Sequence, residues 1–359
     1  MPSAIVTGAT GILGQEIFKE LSKCGDRWDQ IYALSRPADY VFFAAYMQKD
    51  DEVEATRVNG DMLAAFCKAL EINGCATKIK RFILVTGAKN YGVHLGCVKI
   101  PMEETDPWLP EPLFLPNFDY RQQRILQDFA RRNSVEWVVT YSGEVFGFAK
   151  GNFMNLAIAI GIYAAVSKEL GNELVFPGAE EFYSNVTMFT DAGLHAQFCN
   201  WAALEPKAAN QAFNTVNGDA ESWMNLWPKV ARDFGLSVPA DQFSRPAPLA
   251  SEKALQAQPP LSVAAKTAGL EGTCNLPQSY IRQRIDLVWK AMAEKHGLDA
   301  SALEKASWAF AGFAWGRDYN VVQSMSRARK LGWTDYKDSW DNLKGVLDGL
   351  REAKVIPSA

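Results

Sequence analysis

The feature that most constrains this chain is a glycine-rich turn close to its first residue. The stretch reads Ala4-Ile5-Val6-Thr7-Gly8-Ala9-Thr10-Gly11-Ile12-Leu13-Gly14, and apolar residues at helical spacing follow it. Gly8 permits a tight turn, Gly11 allows a pyrophosphate to approach backbone amides, and Gly14 allows close packing of helix and strand. The sequence therefore predicts a strand–turn–helix unit that binds a dinucleotide at the helix N-terminus. The alternative is a βα turn that holds no ligand.

Length and charge narrow the class of protein. With 359 residues the chain can bury a large core, and we expect two lobes because domains typically contain about 100–200 residues. The net charge of −4 gives no electrostatic reason to expect binding to nucleic acid or to an anionic membrane. The apolar segment 153–166 is too short to span a bilayer, which needs about 20 residues, so it predicts a buried helix.

Cysteine and histidine usage argues against a metal site. The six cysteines form no Cys-x-x-Cys pair, and the three histidines are widely scattered. Free thiols are typical of a reducing compartment, and the glycine motif leaves no room for a signal peptide before it, so we expect a cytoplasmic protein.

The second predicted strand, residues 31–36, bears on the choice of cofactor. Domains that prefer NAD place an acidic residue near the end of this strand, where it binds the ribose 2′-hydroxyl. This chain has Ser35 and Arg36 there. A hydroxyl and a guanidinium suit a 2′-phosphate, so the sequence favours NADP(H) over NAD(H). The alternative is a surface arginine without a ligand.

The connection between the second predicted strand and the next strand is too short for an ordinary parallel crossover. A strongly apolar strand, residues 40–45, should lie parallel to the first strand, on the side away from the second, yet only residues 37–39 separate it from Arg36. Three residues reach at most about 14 Å, whereas the return needs about 20 Å. Either a segment is missing, which we favour, or the topology is altered, for example by a hairpin at Arg36-Pro37. The missing piece would normally cover the adenine end of the cofactor.

The rest of the chain alternates between strand and helix patterns. Helices are predicted over 53–70 and 119–132 and strands over 82–87 and 137–141, which indicates a parallel sheet with covering helices. After Phe148 longer helices and aromatic-rich loops follow, and residues 212–218 predict one more strand of the same sheet. We therefore expect a nucleotide-binding domain over 1–148 and an interleaved substrate-binding lobe over 149–359. Residues 247–260 read as an exposed connection.

Two further blocks carry a family resemblance. No Tyr-x-x-x-Lys spacing occurs, but Val85-Thr86-Gly87-Ala88-Lys89-Asn90-Tyr91-Gly92 follows a strand and Asn117-Phe118-Asp119-Tyr120 opens a helix. With the glycine motif, these blocks make the chain resemble the progesterone 5-beta-reductase and iridoid synthase-like short-chain dehydrogenases. The resemblance implies a Rossmann-type doubly wound parallel sheet with a mostly helical C-terminal substrate lobe, an α/β fold.

The same resemblance implies an activity and site residues. The activity is NADPH-dependent 1,4-reduction of a small apolar enone or enal, with hydride reaching the β-carbon while Tyr120 and Lys89 stabilise the enolate. NADP(H) would bind at Gly8, Thr10, Gly11, Ile12, Gly14, Ser35, Arg36, Thr86 and Val145. Tyr46 and Phe153 would line the substrate pocket. Asp119, where an aromatic residue is usual, and Tyr141-Ser142, where Arg-Pro is common, depart from the family pattern.

Two other functions fit the same residues. A cofactor-binding regulatory or interaction protein would keep the fold and bind NADP(H) without turnover. A non-redox isomerase or cyclase would convert its substrate without consuming NADPH. The sequence leaves the substrate open, and it also leaves open whether the protein forms a homodimer.

Overall fold

The computed structural model describes most of the chain. The described residues are 2–24, 27–28, 30–32, 38–49, 51–110, 113–114, 116–149, 154–178, 180–244, 286–306 and 308–358. Of the residues singled out in the sequence, Ser35, Arg36, Pro37 and Phe153 lie outside the described residues, as does the segment 247–260.

A six-stranded parallel sheet forms the centre of the molecule. Its strands are β1 (Ser3–Thr7), β2 (Gln30–Tyr32), β3 (Tyr40–Phe43), β4 (Arg81–Gly87), β5 (Glu136–Ser142) and β9 (Gln211–Thr215). Their order across the sheet is β2-β1-β3-β4-β5-β9, and every neighbouring pair is parallel. This is the doubly wound α/β arrangement that the sequence predicts, and β9 joins it from the second half of the chain. In such sheets ligands bind outside the carboxyl ends of the strands, near the point where the strand order reverses.

The short connection leads to the expected strand position. β3 pairs with β1 in parallel, Ala4 opposite Tyr40, on the side away from β2. Within the described part of the chain β2 and β3 are not paired, so the hairpin alternative is wrong. Asp39 fixes the entry into β3, because its backbone N–H donates to the Ser3 carbonyl (2.9 Å) and its carboxylate accepts from the Ser3 N–H (2.8 Å).

Helices cover both faces of the sheet because its central strands are apolar on both sides. Along β3, Val41 and Phe43 pack with helices α2 (Glu52–Ile72) and α3 (Phe118–Asn133), while Phe42 faces α1 (Ile12–Lys23) and α6 (Ala192–Leu204). α2 begins where the Asp51 side chain accepts from the Glu54 N–H (2.7 Å). α3 begins in the same way, with the Asn117 side chain accepting from the Asp119 N–H (2.9 Å).

A further hydrophobic core surrounds α4 (Leu156–Glu169), whose residues 156–167 are all buried, as the apolar segment predicts. This core includes Trp223, Trp227 and Trp315. No helix among the described residues is long and apolar enough to cross a membrane. The remaining elements are β6 (Glu144–Phe146), α5 (Glu180–Ser184), β7 (Val186–Thr187), β8 (Phe189–Asp191), β10 (Glu221–Ser222), α7 (Trp223–Asp233), α8 (Asp286–His296), α9 (Ala302–Lys305), α10 (Trp308–Trp315), α11 (Ser326–Lys330) and α12 (Ser339–Glu352).

Candidate active site

A cavity of about 250 Å³ lies at the carboxyl ends of the central strands. It is lined by the start of α1, the segment after β3, the end of β4, the segment after β5 and the first residues of α2 and α3. Side chains from later in the chain complete the wall: Met154, Phe310, Phe313, Arg317 and Val321. The cavity therefore occupies the position where a parallel sheet of this order binds its ligand.

The glycine turn has the shape that a phosphate site requires. Gly8 has φ +70°, and a Cβ atom there would lie 2.5 Å from the Ala44 carbonyl oxygen. A Cβ atom on Gly14 would lie 2.0 Å from the Gly8 carbonyl oxygen, so only glycine allows α1 to approach the turn this closely. Gly11 is the N-cap residue of α1 and carries no side chain to cap it. The first N–H groups of α1 are thus available to phosphate oxygens, so the turn fits a pyrophosphate.

The predicted cofactor residues divide into two groups. Gly11, Ile12, Thr86 and Val145 line the cavity. Gly8 and Gly14 shape the turn behind it, and Thr10 is exposed. The Thr86 hydroxyl donates to the Thr140 carbonyl (2.9 Å), which ties the end of β4 to β5.

Lys89 lies on the cavity wall just after β4, as expected. Its ammonium forms a salt bridge with the Glu52 carboxylate at the start of α2, and both side chains are largely buried. The ammonium also lies 4.9 Å from the centre of the Phe118 ring. A strand end, a helix start and an aromatic ring therefore hold one positive charge at the cavity.

Asp119, near Lys89, places a buried carboxyl group in the cavity wall without a hydrogen bond from the described residues to balance its charge. The residue lines the cavity and is 1% exposed, and neither carboxyl oxygen has a hydrogen-bond partner in the described structure. Burial raises the pKa of Asp119 to about 7, against the lowering effect of Lys89 and with a small further increase from Glu52. Near neutral pH this carboxyl group is thus present in both protonation states.

Tyr120, to which the family resemblance gives a role in stabilising the enolate, does not line the cavity. Its hydroxyl donates to the Asn90 carbonyl (2.7 Å) and accepts from the Leu109 N–H (3.0 Å), and its ring stacks on Trp108 at 4.7 Å. It is 1% exposed and is not among the described residues that line the cavity. The reason is helical geometry. Successive residues of α3 point about 100° apart, so Asp119 takes the cavity side and Tyr120 packs beneath the 90–109 segment.

Tyr46 lies where the sequence predicts a pocket residue. It follows β3, lines the cavity and packs on Phe118 with ring centres 5.3 Å apart. The two rings form an aromatic wall next to Lys89.

A second ionic cluster on the cavity wall was not predicted. Arg317 and Glu144 form a buried salt bridge. The Arg317 guanidinium also donates to the Ala314 carbonyl (3.2 Å) and lies 4.7 Å from the centre of the Phe182 ring. Burial lowers the pKa of Arg317 to about 10. The two partners are 173 positions apart in the chain, so sequence spacing carries no signal for this pair.

His94 was also missed. It lines the cavity with its Nδ1 buried and without a hydrogen-bond partner in the described structure. Burial, with a contribution from the Lys89 charge, holds the pKa of His94 well below its usual range. The imidazole is therefore neutral at pH 7.

Comparison with known proteins gives full-length relatives. An uncharacterized protein of Schizosaccharomyces pombe is 37% identical, covering 99% of this chain and 98% of that protein. The 3-oxo-Delta(4,5)-steroid 5-beta-reductase of Arabidopsis thaliana is 26% identical (99% and 93%), and the (S)-8-oxocitronellyl enol synthase of Catharanthus roseus is 24% identical (99% and 92%). Among solved structures, UDP-glucose 4-epimerase of Thermotoga maritima matches with a TM-score of 0.60 at 16% identity, covering 98% of this chain and 99% of that one. The last likeness is one of fold.

The alignment with the Schizosaccharomyces protein spans 398 positions, whereas this chain has 359 residues, so about 40 aligned positions have no counterpart in this chain.

The sequence blocks, the sheet order and the glycine turn agree with one family model. It matches residues 4–357, which is nearly the whole chain. The chain therefore belongs to the family with a PRISE-like Rossmann-fold domain.

Proposed function

We propose that this protein is an NADPH-dependent reductase of an activated C=C bond, acting by 1,4-reduction on a small or medium apolar enone or enal. The observation that carries the proposal is the presence of the Lys89 ammonium and the Asp119 carboxyl group in the same cavity as the glycine turn. Relatives named as a steroid 5-beta-reductase and an 8-oxocitronellyl enol synthase support this reaction class.

The cofactor would be held from two sides. The N–H groups at the start of α1 would bind the pyrophosphate, and Ile12, Thr86 and Val145 would border the nicotinamide half. When bound, NADPH supplies a hydride to the β-carbon of the substrate. The preference for NADPH rests on Ser35 and Arg36, the residues that the sequence places near the ribose 2′-position.

The polar side chains act on the opposite end of the conjugated system. As the β-carbon gains a hydride, negative charge develops on the carbonyl oxygen, and a positioned cation or hydrogen-bond donor stabilises it. Lys89 supplies a fixed positive charge, because Glu52 and Phe118 hold its side chain in place. Beside a largely apolar wall this charge acts more strongly than in bulk water.

The substrate is expected to be apolar, because most of the wall is. The apolar lining residues come from both lobes: Ile12, Leu13, Val85, Val93, Met154, Phe310, Phe313 and Val321. Tyr46 and Phe118 add flat aromatic surface next to Lys89. Such a wall orients a hydrophobic skeleton so that its carbonyl oxygen meets the polar end of the cavity.

The test combines cofactor binding with turnover. Purified protein is titrated with NADPH and NADH by fluorescence, for the wild type, Arg36→Ala and the control Arg57→Ala, which changes an exposed arginine of α2. NADPH oxidation is then followed with cyclohex-2-en-1-one and an apolar 2-enal. We expect tight NADPH binding, weaker binding only in Arg36→Ala, and NADPH oxidation that requires the enone.

Three results would contradict the proposal in different ways. Absence of cofactor binding would show that the short connection before β3 removes the site. Binding without turnover on a broad enone panel would support a regulatory protein. Conversion of substrate without NADPH consumption would support an isomerase or cyclase.

A further inference from the structure

We propose that Asp119, acting as a neutral carboxylic acid, is the group that donates a proton to the substrate carbonyl oxygen in this enzyme. The proposal rests on the reductase function above and names a further catalytic residue for it. It assigns to Asp119 the part that the family resemblance gives to Tyr120.

The position of Asp119 in the cavity suits a proton donor. Asp119 lies in the first turn of α3, on the side of the helix that lines the cavity, and its backbone N–H is fixed by the Asn117 side chain (2.9 Å). Lys89 and Glu52 are near enough for their charges to act on it. An acid at this point shares the polar end of the cavity with the only cation that the proposed mechanism uses.

The carboxyl group of Asp119 has no hydrogen-bond partner in the described structure. Both carboxyl oxygens are buried without a hydrogen-bond partner. Burying a carboxylate in this way costs several kcal/mol, as an order of magnitude, unless the group is protonated or finds a partner. Buried polar groups without partners are rare and call for a functional explanation. A substrate carbonyl oxygen would be the missing acceptor for the acid proton.

The charged and titratable groups around Asp119 also support this role. The groups that face Asp119 are Lys89 after β4, Glu52 of α2, Tyr46 after β3 and Tyr141 of β5. Lys89 is paired with Glu52, so one cation faces two carboxyl groups. The pKa of Asp119 rises to about 7, chiefly by burial. While it is protonated, a buried carboxylic acid with a raised pKa can donate a hydrogen bond to an oxyanion.

Tyr120, the alternative proton donor, is already held by other interactions. The Tyr120 hydroxyl already donates its proton to the Asn90 carbonyl (2.7 Å) and accepts from the Leu109 N–H (3.0 Å). Reaching a substrate would break both bonds and the stack on Trp108. Asp119 gives up no side-chain hydrogen bond of the described structure to reach one.

The proposed step delivers a hydride to the β-carbon and a proton to the carbonyl oxygen. A hydride and its electron pair form the new C–H bond at the β-carbon, and the C=C π electrons shift to form a double bond between Cα and the carbonyl carbon. The carbonyl π electrons move to oxygen, which takes the proton from the Asp119 carboxyl group and becomes an enol. Asp119 is left as a carboxylate beside Lys89. Water then supplies a proton to Cα, the enol O–H group loses its proton to solvent as the ketone forms, and solvent reprotonates Asp119.

The experiment measures kcat against pH for reduction of cyclohex-2-en-1-one by the wild type, Asp119→Ala, Asp119→Asn and Asp128→Asn. Asp128 is an exposed aspartate on the same helix and serves as the control. We expect wild-type kcat to fall as pH rises through about 7, where Asp119 loses its proton. Asp119→Ala should lower kcat by about 10²–10³-fold. Asp119→Asn, which keeps a donor that does not titrate, should retain more activity and lose the decline.

Two measurements keep the inference separate from the proposed function. NADPH affinity reports whether each variant is folded and binds cofactor. Infrared difference spectra of wild type minus Asp119→Asn report the protonated carboxyl group directly, and we expect its signal at pH 6 and its loss at pH 9. If wild type reduces no enone, the proposed function fails and this inference with it. If wild type is active but Asp119→Ala keeps its kcat and pH profile, or the carboxyl group is ionised at pH 6, only the inference is wrong.

Discussion

The cavity contains two buried ionic clusters that differ in how their charges are balanced. In one cluster a single guanidinium, Arg317, meets a single carboxylate, Glu144, and is held further by the Ala314 carbonyl and the Phe182 ring. In the other, two carboxyl groups, Glu52 and Asp119, lie near a single ammonium. The balanced pair has the properties of a structural contact between β6 and the residues that follow α10. The unbalanced cluster leaves one carboxyl group ready to exchange a proton, which is a property of reaction centres.

The largest effect is expected from breaking the balanced pair. Arg317→Met leaves the Glu144 carboxylate buried without its partner, and removal of one member of a buried pair typically destabilises a protein by about 3–5 kcal/mol. Urea unfolding measures the change. The double variant Arg317→Met/Glu144→Gln removes both charges and should recover most of the lost stability. A double variant no more stable than the single one would show that packing on Phe182 and Phe313, and not charge, holds Arg317.

The next effect is on catalysis and comes from the unbalanced cluster. Lys89→Met removes the positive charge that the proposed reaction uses, so we expect kcat to fall by about 10²–10³-fold. Because the Lys89 charge lowers the pKa of Asp119, its removal should also move the decline in activity to higher pH. The control is Lys68→Met on the exposed face of α2. A Lys89→Met variant with wild-type kcat would remove Lys89 from the mechanism.

The two clusters also differ in how far the sequence could predict their residues. Lys89 was named by the family resemblance, and its place after β4 is consistent with that choice, because the end of a central parallel strand lies at the ligand crevice. The sheet strands were predicted within a few residues for a related reason. Their residues are buried on both faces, as with Val41, Phe42 and Phe43, and such strands read as continuous apolar runs.

The sequence did not show whether Asp119 or Tyr120 faces the cavity. Which of two adjacent helical residues faces the cavity depends on the rotation of α3 about its axis. That rotation is set by tertiary contacts of Tyr120 with Trp108, Asn90 and Leu109, in a segment without a periodic pattern. Arg317 was missed because its partner Glu144 lies in another part of the chain and only the folded structure joins them.

A smaller effect, of opposite sign, is expected on stability when Asp119 is replaced by a neutral side chain. Folding raises its pKa from 3.8 to about 7, so folding favours the protonated form. The resulting penalty is absent below pH 4, grows as pH rises, and is complete above pH 7, where its full size is roughly 4 kcal/mol. The substituted amide would still be a buried polar group, so we expect Asp119→Asn to gain about 2 kcal/mol at pH 8 and little at pH 4. Thermal unfolding of both proteins across this range measures the difference. A gain that does not depend on pH would mean that Asp119 is not ionised by pH 8.

The smallest effect separates Tyr120 from Asp119. Tyr120→Phe keeps the stack on Trp108 but leaves the Asn90 carbonyl and the Leu109 N–H without the hydroxyl, which should cost about 1–2 kcal/mol of folding free energy. Any loss of kcat should be smaller than that of Asp119→Ala, and the decline above pH 7 should persist, because Asp119 is still present to titrate. Unfolding and the pH profile of kcat check these two expectations together. A Tyr120→Phe variant with unchanged stability and a kcat reduced by about 10²-fold or more would return the donor role to Tyr120. It would then require α3 or the 90–109 segment to move when substrate binds, since the hydroxyl lies away from the cavity in this structure.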